Sequence, residues 1–126
     1  MTLPLVLTMA DMYELPLWEQ ISHCMKMLDT ALLECKTRGA AMVAAEAEYY
    51  TAKSQESYEL LEAGHANTFI QQVIKGRPKV CEKMTAYHAA EVEYENAREA
   101  RNVWKKKLDT LREQYSREWG QAGIGE

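Results

Sequence analysis

The chain has 126 residues and a formal net charge of -4, with 27% charged and 47% hydrophobic residues. This length fits one domain, and the acidic balance argues against a general polyanion-binding protein. Proline, glycine and phenylalanine are scarce beside Ala, Glu, Lys, Leu and Tyr, which favours helix and gives little support for a sheet.

The sequence contains neither a membrane-spanning stretch nor a cysteine motif. No run approaches the roughly 18 apolar residues that a transmembrane helix needs. Cys24, Cys35 and Cys81 match no zinc-binding spacing and fit a reducing compartment. We therefore expect a soluble, intracellular protein that makes no contact with a membrane.

Residues 1–15 form the predicted N-terminal lead-in. Met1, Met9 and Met12 could each initiate translation. The apolar residues 3–7 either pack against a partner or a second copy, or belong to a frayed terminus.

A first long helix is predicted over residues 17–63. Pro16 suits the first helical position, where its missing N–H would lack a partner anyway, and Gly64 suits the position just after the helix. Heptad spacing of apolar residues is typical of a packed seam, although Gly39 inside it costs roughly 1 kcal/mol relative to alanine. The seam residues predicted on this helix are Ile21, Leu28, Met42 and Tyr49.

Residues 64–80 form the connector, with a short elbow helix predicted over residues 68–75. Asn67 or Thr68 can cap this helix, because Thr68 and Gln71 match a capping box. Gly76 ends it, and Pro78 can begin the next helix. Its apolar stripe consists of Phe69, Ile70, Val73 and Ile74.

The last helix is predicted over residues 78–119, closed by Gly120. Its heptad positions again carry large side chains, and we expect residues 121–126 to form a flexible tail. The seam residues predicted on this helix are Tyr87, Tyr94, Trp104, Leu108, Leu111 and Tyr115.

These elements predict an all-α fold with a single domain over residues 16–120. Two long helices joined by a short elbow should fold back as an antiparallel hairpin. Its seams carry more bulk than one partner helix can cover, so we predict that two hairpins pair into a homodimeric four-helix bundle or coiled coil.

No catalytic, cofactor-binding or metal-binding residue is predicted. His23, His65 and His88 share no helix face, and a metal site needs several converging ligands. Acid–base catalysis needs carboxylates in differently perturbed pockets, whereas the glutamates here follow solvated helix faces. We expect no enzyme activity, no cofactor and no small-molecule substrate.

Charge differs between the two halves of the chain, with -6 over residues 1–64 and +2 over residues 65–126. A basic stripe could follow a phosphate backbone, or it could be neutralised by neighbouring acids at helical spacing. Tyrosines could likewise stack on bases or fill the seam. The candidate contact residues for nucleic acid or a partner are Lys75, Arg77, Lys79, Lys83, Arg98, Lys105 and Arg112. An acidic partner face is predicted at Glu56, Glu59 and Glu62.

Several short runs occur in a recognisable order. They are Glu46-Ala47-Glu48-Tyr49-Tyr50 with Ala52 and Lys53, Leu60-Leu61 before Gly64, Asn67-Thr68-Phe69-Ile70 with Val73, Lys75, Gly76 and Val80, and Arg117-Glu118-Trp119-Gly120. In this order and spacing the chain resembles a group of small, uncharacterised helical proteins encoded by bacteriophages and prophages of Gram-positive bacteria. The resemblance covers roughly residues 13–120 and transfers no catalytic residue.

The resemblance implies a phage early-region protein in the cytoplasm of a host bacterium, near replication and recombination functions. Two non-enzymatic roles follow. The first is an accessory factor for recombination or replication, whose basic stripe touches DNA. The second is an inhibitor of a host defence nuclease such as a CRISPR effector, which requires a host or phage protein partner. A structural coiled-coil adaptor without a nucleic-acid role is the alternative.

Overall fold

A computed structural model describes residues 15–124 of the chain. The elements in chain order are α1 (Leu17–Glu62), α2 (Asn67–Val73), a 3₁₀ turn (Ile74–Gly76) and α3 (Pro78–Ile124). The described residues contain no strand, which confirms the all-α prediction. Residues 1–14, and with them most of the predicted lead-in, lie outside the described part of the chain.

Both ends of α1 follow from local chemistry. The carbonyl of Pro16 accepts hydrogen bonds from the backbone N–H groups of Glu19 and Gln20, each at 3.0 Å, so Pro16 is the N-cap rather than the first helical residue. At the other end Gly64 has a φ of 91°. The N–H groups of Gly64 and His65 donate to the carbonyls of Leu61 and Leu60 at 3.0 and 3.2 Å, which is a Schellman motif.

The connector differs from its prediction in the cap and in the last turn. Ala66 is the N-cap of α2, and no side chain caps the helix, so the predicted capping by Asn67 or Thr68 is wrong. The helix begins one residue earlier than predicted, which places Asn67 inside its first turn. After Val73 the backbone tightens into the 3₁₀ turn, a common way to end a short helix.

Helix α3 begins at Pro78 as predicted, with the N–H of Cys81 donating to the carbonyl of Arg77 at 2.8 Å. It continues to Ile124, so the predicted end at residue 119 is wrong, and residues 121–124 of the predicted tail are helical. A glycine ends a helix when it adopts the left-handed conformation. Among the described residues only Gly64 does so, and Gly120 does not.

The chain divides into two compact units. Unit 1 comprises the start of α1 and the end of α3, with described residues 15–33 and 98–124. Unit 2 comprises residues 34–97, which hold the rest of both long helices and the whole connector.

Unit 2 is an antiparallel helix pair closed by the connector. Going back along α1, Tyr49 stacks on Tyr87 at 6.0 Å between ring centroids, and Arg38 meets Glu93 at 3.4 Å. The connector inserts Ile74 and Ile70, which are 1% and 2% exposed, between the two helices. The buried core of this unit consists of Tyr49, Ala52, Leu60, Ile70, Ile74 and Val80.

Unit 1 has a thinner core. Cys24 of α1 packs against Leu108 and Leu111 of α3, and these three residues are buried. The side chains around them are only partly covered, and they are Leu17, Ile21, Leu28 and Trp104.

The seam residues predicted from heptad spacing lie between the helices, with one exception. Tyr49, Leu108 and Leu111 are buried, and six others are partly covered. Tyr115 is 38% exposed and packs its ring against Trp119 at 6.0 Å, so it is not enclosed by the seam. In the predicted apolar stripe of the elbow helix, Phe69 stays exposed and stacks on His65, whereas Ile70 and Ile74 are buried.

Candidate functional site

The predicted basic cluster at the elbow and the predicted acidic face are neighbours in unit 2. The guanidinium of Arg77 donates to one carboxylate oxygen of Glu56 through Nε at 3.1 Å and through Nη2 at 2.7 Å. Glu59 lies 3.7 Å from the same Nη2 atom. The contact joins α1 to the residue that precedes α3, so two sets of predicted binding residues form one ion-paired cluster.

The positive charges of this cluster shift the pKa of the Glu56 carboxyl. The hydrogen bond from Arg77 lowers the pKa of the Glu56 carboxyl below its ordinary value, and the charge of Lys79 acts in the same direction. Lys83 lies 3.6 Å from Glu48 of α1. Glu62, the third predicted acid, accepts a hydrogen bond from the Tyr58 hydroxyl at 2.8 Å. Lys75 and Lys79 are exposed.

The second predicted basic set lies in unit 1, beside an open groove of about 390 Å³ between α1 and α3. Lys105 and Arg112 line this groove, whereas Arg98 lies one heptad before Lys105 on α3. Arg101 also lines the groove, and its Nη2 atom donates a long 3.5 Å hydrogen bond to Oδ1 of Asn102. The full lining consists of Leu28, Leu32, Arg101, Asn102, Lys105, Leu108, Asp109 and Arg112.

This groove combines cations with an apolar floor. Arg101, Lys105 and Arg112 face one carboxylate, Asp109, so the lining is net positive. Within the described part of the chain neither Lys105 nor Arg112 forms an ion pair. The three leucines of the floor belong to both helices. Such a surface suits a ligand that carries both apolar groups and negative charge.

Leu32 was not among the predicted contact residues, although it lines the groove. It recurs at heptad spacing with Trp18 and Met25 on α1, and the three side chains are 47%, 64% and 45% exposed. An exposed apolar row at heptad spacing beside the seam is the signal that could have identified it.

Aromatic and histidine side chains pack on one another. Tyr49 is buried, and its ring stacks on Tyr87 at 25° between ring planes, which uses faces that base stacking would need. Burial raises the pKa of the Tyr87 hydroxyl, and the nearby carboxylates Glu46 and Glu91 raise it further. Each histidine meets an aromatic ring, with His23 on Trp104, His65 on Phe69 and His88 on Tyr87.

The cysteines lie in different environments. Cys24 is buried in the core of unit 1, and burial raises the pKa of its thiol. Cys35 is also buried, whereas Cys81 is exposed on α3. Among residues 15–124 no three His, Cys, Asp or Glu side chains converge as metal ligands. No helix in this range has the length and apolar character needed to cross a lipid bilayer.

Comparisons with models of protein families, with curated proteins and with solved structures found no match for this chain.

Proposed function

We propose that this chain is a non-enzymatic helical binding protein that acts on nucleic-acid machinery in the cytoplasm of a host bacterium. In this proposal it binds a protein component of that machinery, as an inhibitor of a defence nuclease would. The observation that carries it is the groove of unit 1, where cations and exposed apolar side chains lie together. The sequence resemblance to phage proteins supplies the biological setting.

The composition of the groove favours a protein partner over a phosphate backbone. Nucleic-acid surfaces are recognised mainly through cations and polar groups that follow the phosphates. Here leucines form the floor and Asp109 places a negative charge among the cations. Arg77 and Lys83 at the elbow are already compensated by Glu56 and Glu48. This arrangement supports protein binding, and the DNA-binding accessory role is the second candidate.

Affinity capture tests this function. The tagged chain is used as bait in lysates of Gram-positive cells before and after phage infection, and stoichiometric proteins are identified by mass spectrometry. We expect a nuclease, recombinase or replication protein whose activity falls when the chain is added. Recovery of an unrelated structural protein, with no effect on any nucleic-acid enzyme, would favour the adaptor role.

A nucleic-acid retention assay distinguishes the DNA-binding role from the protein-binding role. Single-stranded and duplex oligonucleotides are titrated with the wild-type chain at low and high salt, beside the variant Arg98→Glu/Lys105→Glu/Arg112→Glu. Direct binding to phosphates would fall steeply with salt and would be lost in the variant. We expect little retention of either nucleic acid by the wild type, and tight salt-dependent retention would reverse the order of the two candidates.

We also propose that two copies pair into a four-helix assembly. The outward face of α1 in unit 2 carries Ala40, Val43, Ala44 and Ala47, all exposed, with Val43 at 62%. Small uncharged side chains at this spacing let a second helix approach closely. This face is separate from the groove of unit 1, so pairing and partner binding do not compete for the same residues.

Sedimentation equilibrium tests the pairing. The wild type should have the mass of two chains at micromolar concentration, and Val43→Glu should have the mass of one. Val92→Glu, an equally exposed valine on α3 of the same unit, is the matched control. A single-chain mass for the wild type would contradict the pairing.

A further inference from the structure

The groove of unit 1 combines leucines of both helices with cations of α3. Leu28 and Leu32 of α1 and Leu108 of α3 supply the apolar part of its lining, and Lys105 and Arg112 of α3 supply positive charge. Lys105 and Arg112 are seven residues apart, which is two helical turns or about 10.5 Å. The lining is therefore both apolar and cationic.

The spacing of Lys105 and Arg112 identifies the shape of a ligand. Residues of a third helix that lies along the groove would also recur every two turns, so side chains of one of its faces could meet both cations in succession. Successive phosphates or extended-peptide residues recur at shorter intervals and would not match two-turn spacing. Helix-in-groove recognition uses such anchors at helical spacing.

The chemistry of the groove lining indicates which residues the bound helix should carry. Leu32, which lines the groove and is 47% exposed, would gain from contact with apolar side chains. Across the groove, Lys105 and Arg112 would attract carboxylates, since only Asp109 in the lining opposes them. We infer that the groove of unit 1 receives an amphipathic helix of a partner protein, with an apolar stripe and an acidic edge.

A second copy of this chain is a poorer occupant than such a partner helix. Both long helices already direct their main apolar seams against each other, as Cys24 with Leu108 and Tyr49 with Tyr87 show. The acids on α1 that could supply the acidic edge include Glu48 and Glu56, which are engaged with Lys83 and Arg77. The occupant therefore needs a free apolar stripe beside free carboxylates.

This inference rests on the proposed function, because it specifies the segment through which the partner would bind. The probe is a fluorescein-labelled helical peptide of about three heptads, with leucine at seam positions and glutamate at flanking positions. A matched peptide carries lysine in place of glutamate, and a thymidine oligonucleotide serves as the nucleic-acid probe. Fluorescence anisotropy measures binding to the full chain.

The groove variants are Leu32→Gln and Lys105→Glu/Arg112→Glu. Their matched controls are Leu33→Gln, an exposed leucine on the next face of α1, and Lys106→Glu/Arg117→Glu, which changes the net charge equally outside the groove lining. We expect the glutamate peptide to bind the wild-type chain. Each groove variant should weaken this binding by about tenfold or more. For Leu32→Gln, this is the loss expected when one leucine no longer buries its side chain against the peptide. The controls should bind as the wild type does.

Several results would overturn the inference. They are equal binding of the glutamate and lysine peptides, loss of binding in the controls to the same extent as in the groove variants, or preference for the oligonucleotide. Circular dichroism of every variant ensures that a loss is not unfolding. Self-association of the wild-type chain that is lost in Leu32→Gln but kept in Leu33→Gln, measured by sedimentation equilibrium, would assign the site to a second copy instead.

Affinity capture with the Leu32→Gln bait distinguishes this inference from the proposed function. If the wild type and Leu32→Gln retain the same nucleic-acid enzyme equally, the groove assignment fails while the function stands. If the acidic peptide binds the groove but no such enzyme is retained by either bait, the proposed function fails while the ligand class stands.

Discussion

Unit 1 and unit 2 contain the same two helices, yet they bury their side chains to different extents. Unit 2 buries Ile70, Ile74 and Val80 almost completely, and a further three residues complete its core. The core cluster of unit 1 has three buried residues, and this unit leaves Trp18 and Trp119 exposed, at 64% and 63%. The connector accounts for the difference, because it adds a third apolar element to unit 2.

The comparison illustrates a general limit on helix pairs. Two helices touch along a line, so side chains that flank the seam stay in contact with solvent unless another element covers them. In unit 2 the α2 helix and the 3₁₀ turn provide that cover with Ile70 and Ile74. The described residues of unit 1 contain only the two long helices, with no third element to cover the side chains beside the seam. The side chains that flank its seam therefore stay in contact with solvent.

The largest expected effect is the loss of the connector's contribution to unit 2. Ile74→Ala should lower the free energy of unfolding by about 2–5 kcal/mol, because Ile74 is 1% exposed and its removal leaves a cavity. Leu61→Ala, an exposed leucine near the end of α1, should change stability by less than about 0.5 kcal/mol. Urea unfolding followed by circular dichroism measures both. Similar losses would mean that the connector does not close the core.

A truncation in unit 1 sharpens the comparison. Leu108→Ala should cost about 2 kcal/mol, at the lower end of the range for buried leucines. The reason is that Leu108 also lines the open groove, so water and neighbouring side chains can fill the vacated space. The same unfolding experiment provides the value. A loss larger than that of Ile74→Ala would show that unit 1 is the better-packed region.

A smaller effect concerns the close approach of the helices at Gly39. A Cβ atom at this position would lie 3.3 Å from the ring of Tyr94, closer than ordinary contact. Alanine would gain about 1 kcal/mol of helix propensity and lose part of it to this crowding. We expect Gly39→Ala to stabilise the chain more in a Tyr94→Ala background than in the wild type, by a difference of less than about 1 kcal/mol. A double-mutant cycle measures the difference, and additive effects would show that Tyr94 imposes no constraint.

The smallest expected effect comes from the elbow ion pair of unit 2 and depends on pH. The pKa of Glu56 is lowered in the folded chain, so its contribution is complete above the unfolded pKa of about 4.3 and is lost as pH falls through the folded value. Arg77→Gln should lower the melting temperature at neutral pH. The gap between variant and wild type should narrow as pH falls below the unfolded pKa of about 4.3. Lys75→Gln, at an exposed position, is the control, and a gap independent of pH would contradict the assignment.

Local features of the sequence predicted much of the fold. Gly64 ends α1 and Pro78 begins α3, because each residue constrains its own backbone. The heptad series located the seam, since the residues that share one face of a helix follow from helix geometry alone. The predicted end of α3 was wrong because Gly120 permits a left-handed turn without requiring one.

The candidate site was only partly predictable. Lys105 and Arg112 were identified from charge spacing, but their position beside Leu28 and Leu32 depends on how α1 lies against α3. The partner of Arg77 is Glu56, 21 residues earlier in the chain, so no helical spacing relates them. The sequence positions of the charged residues therefore could not show that the cations of the elbow are paired with carboxylates whereas Lys105 and Arg112 line the groove.

The sequence by itself determined the helices, the corner between them and the seam residues, because these depend on interactions within a few turns of the chain. Only the tertiary structure decided which charges compensate one another and which apolar side chains remain exposed. The register between α1 and α3 sets both outcomes. It places Arg77 against Glu56 in unit 2 and leaves Leu32 beside Lys105 in unit 1. The physical reason is that burial and ion pairing depend on distances between residues far apart in sequence.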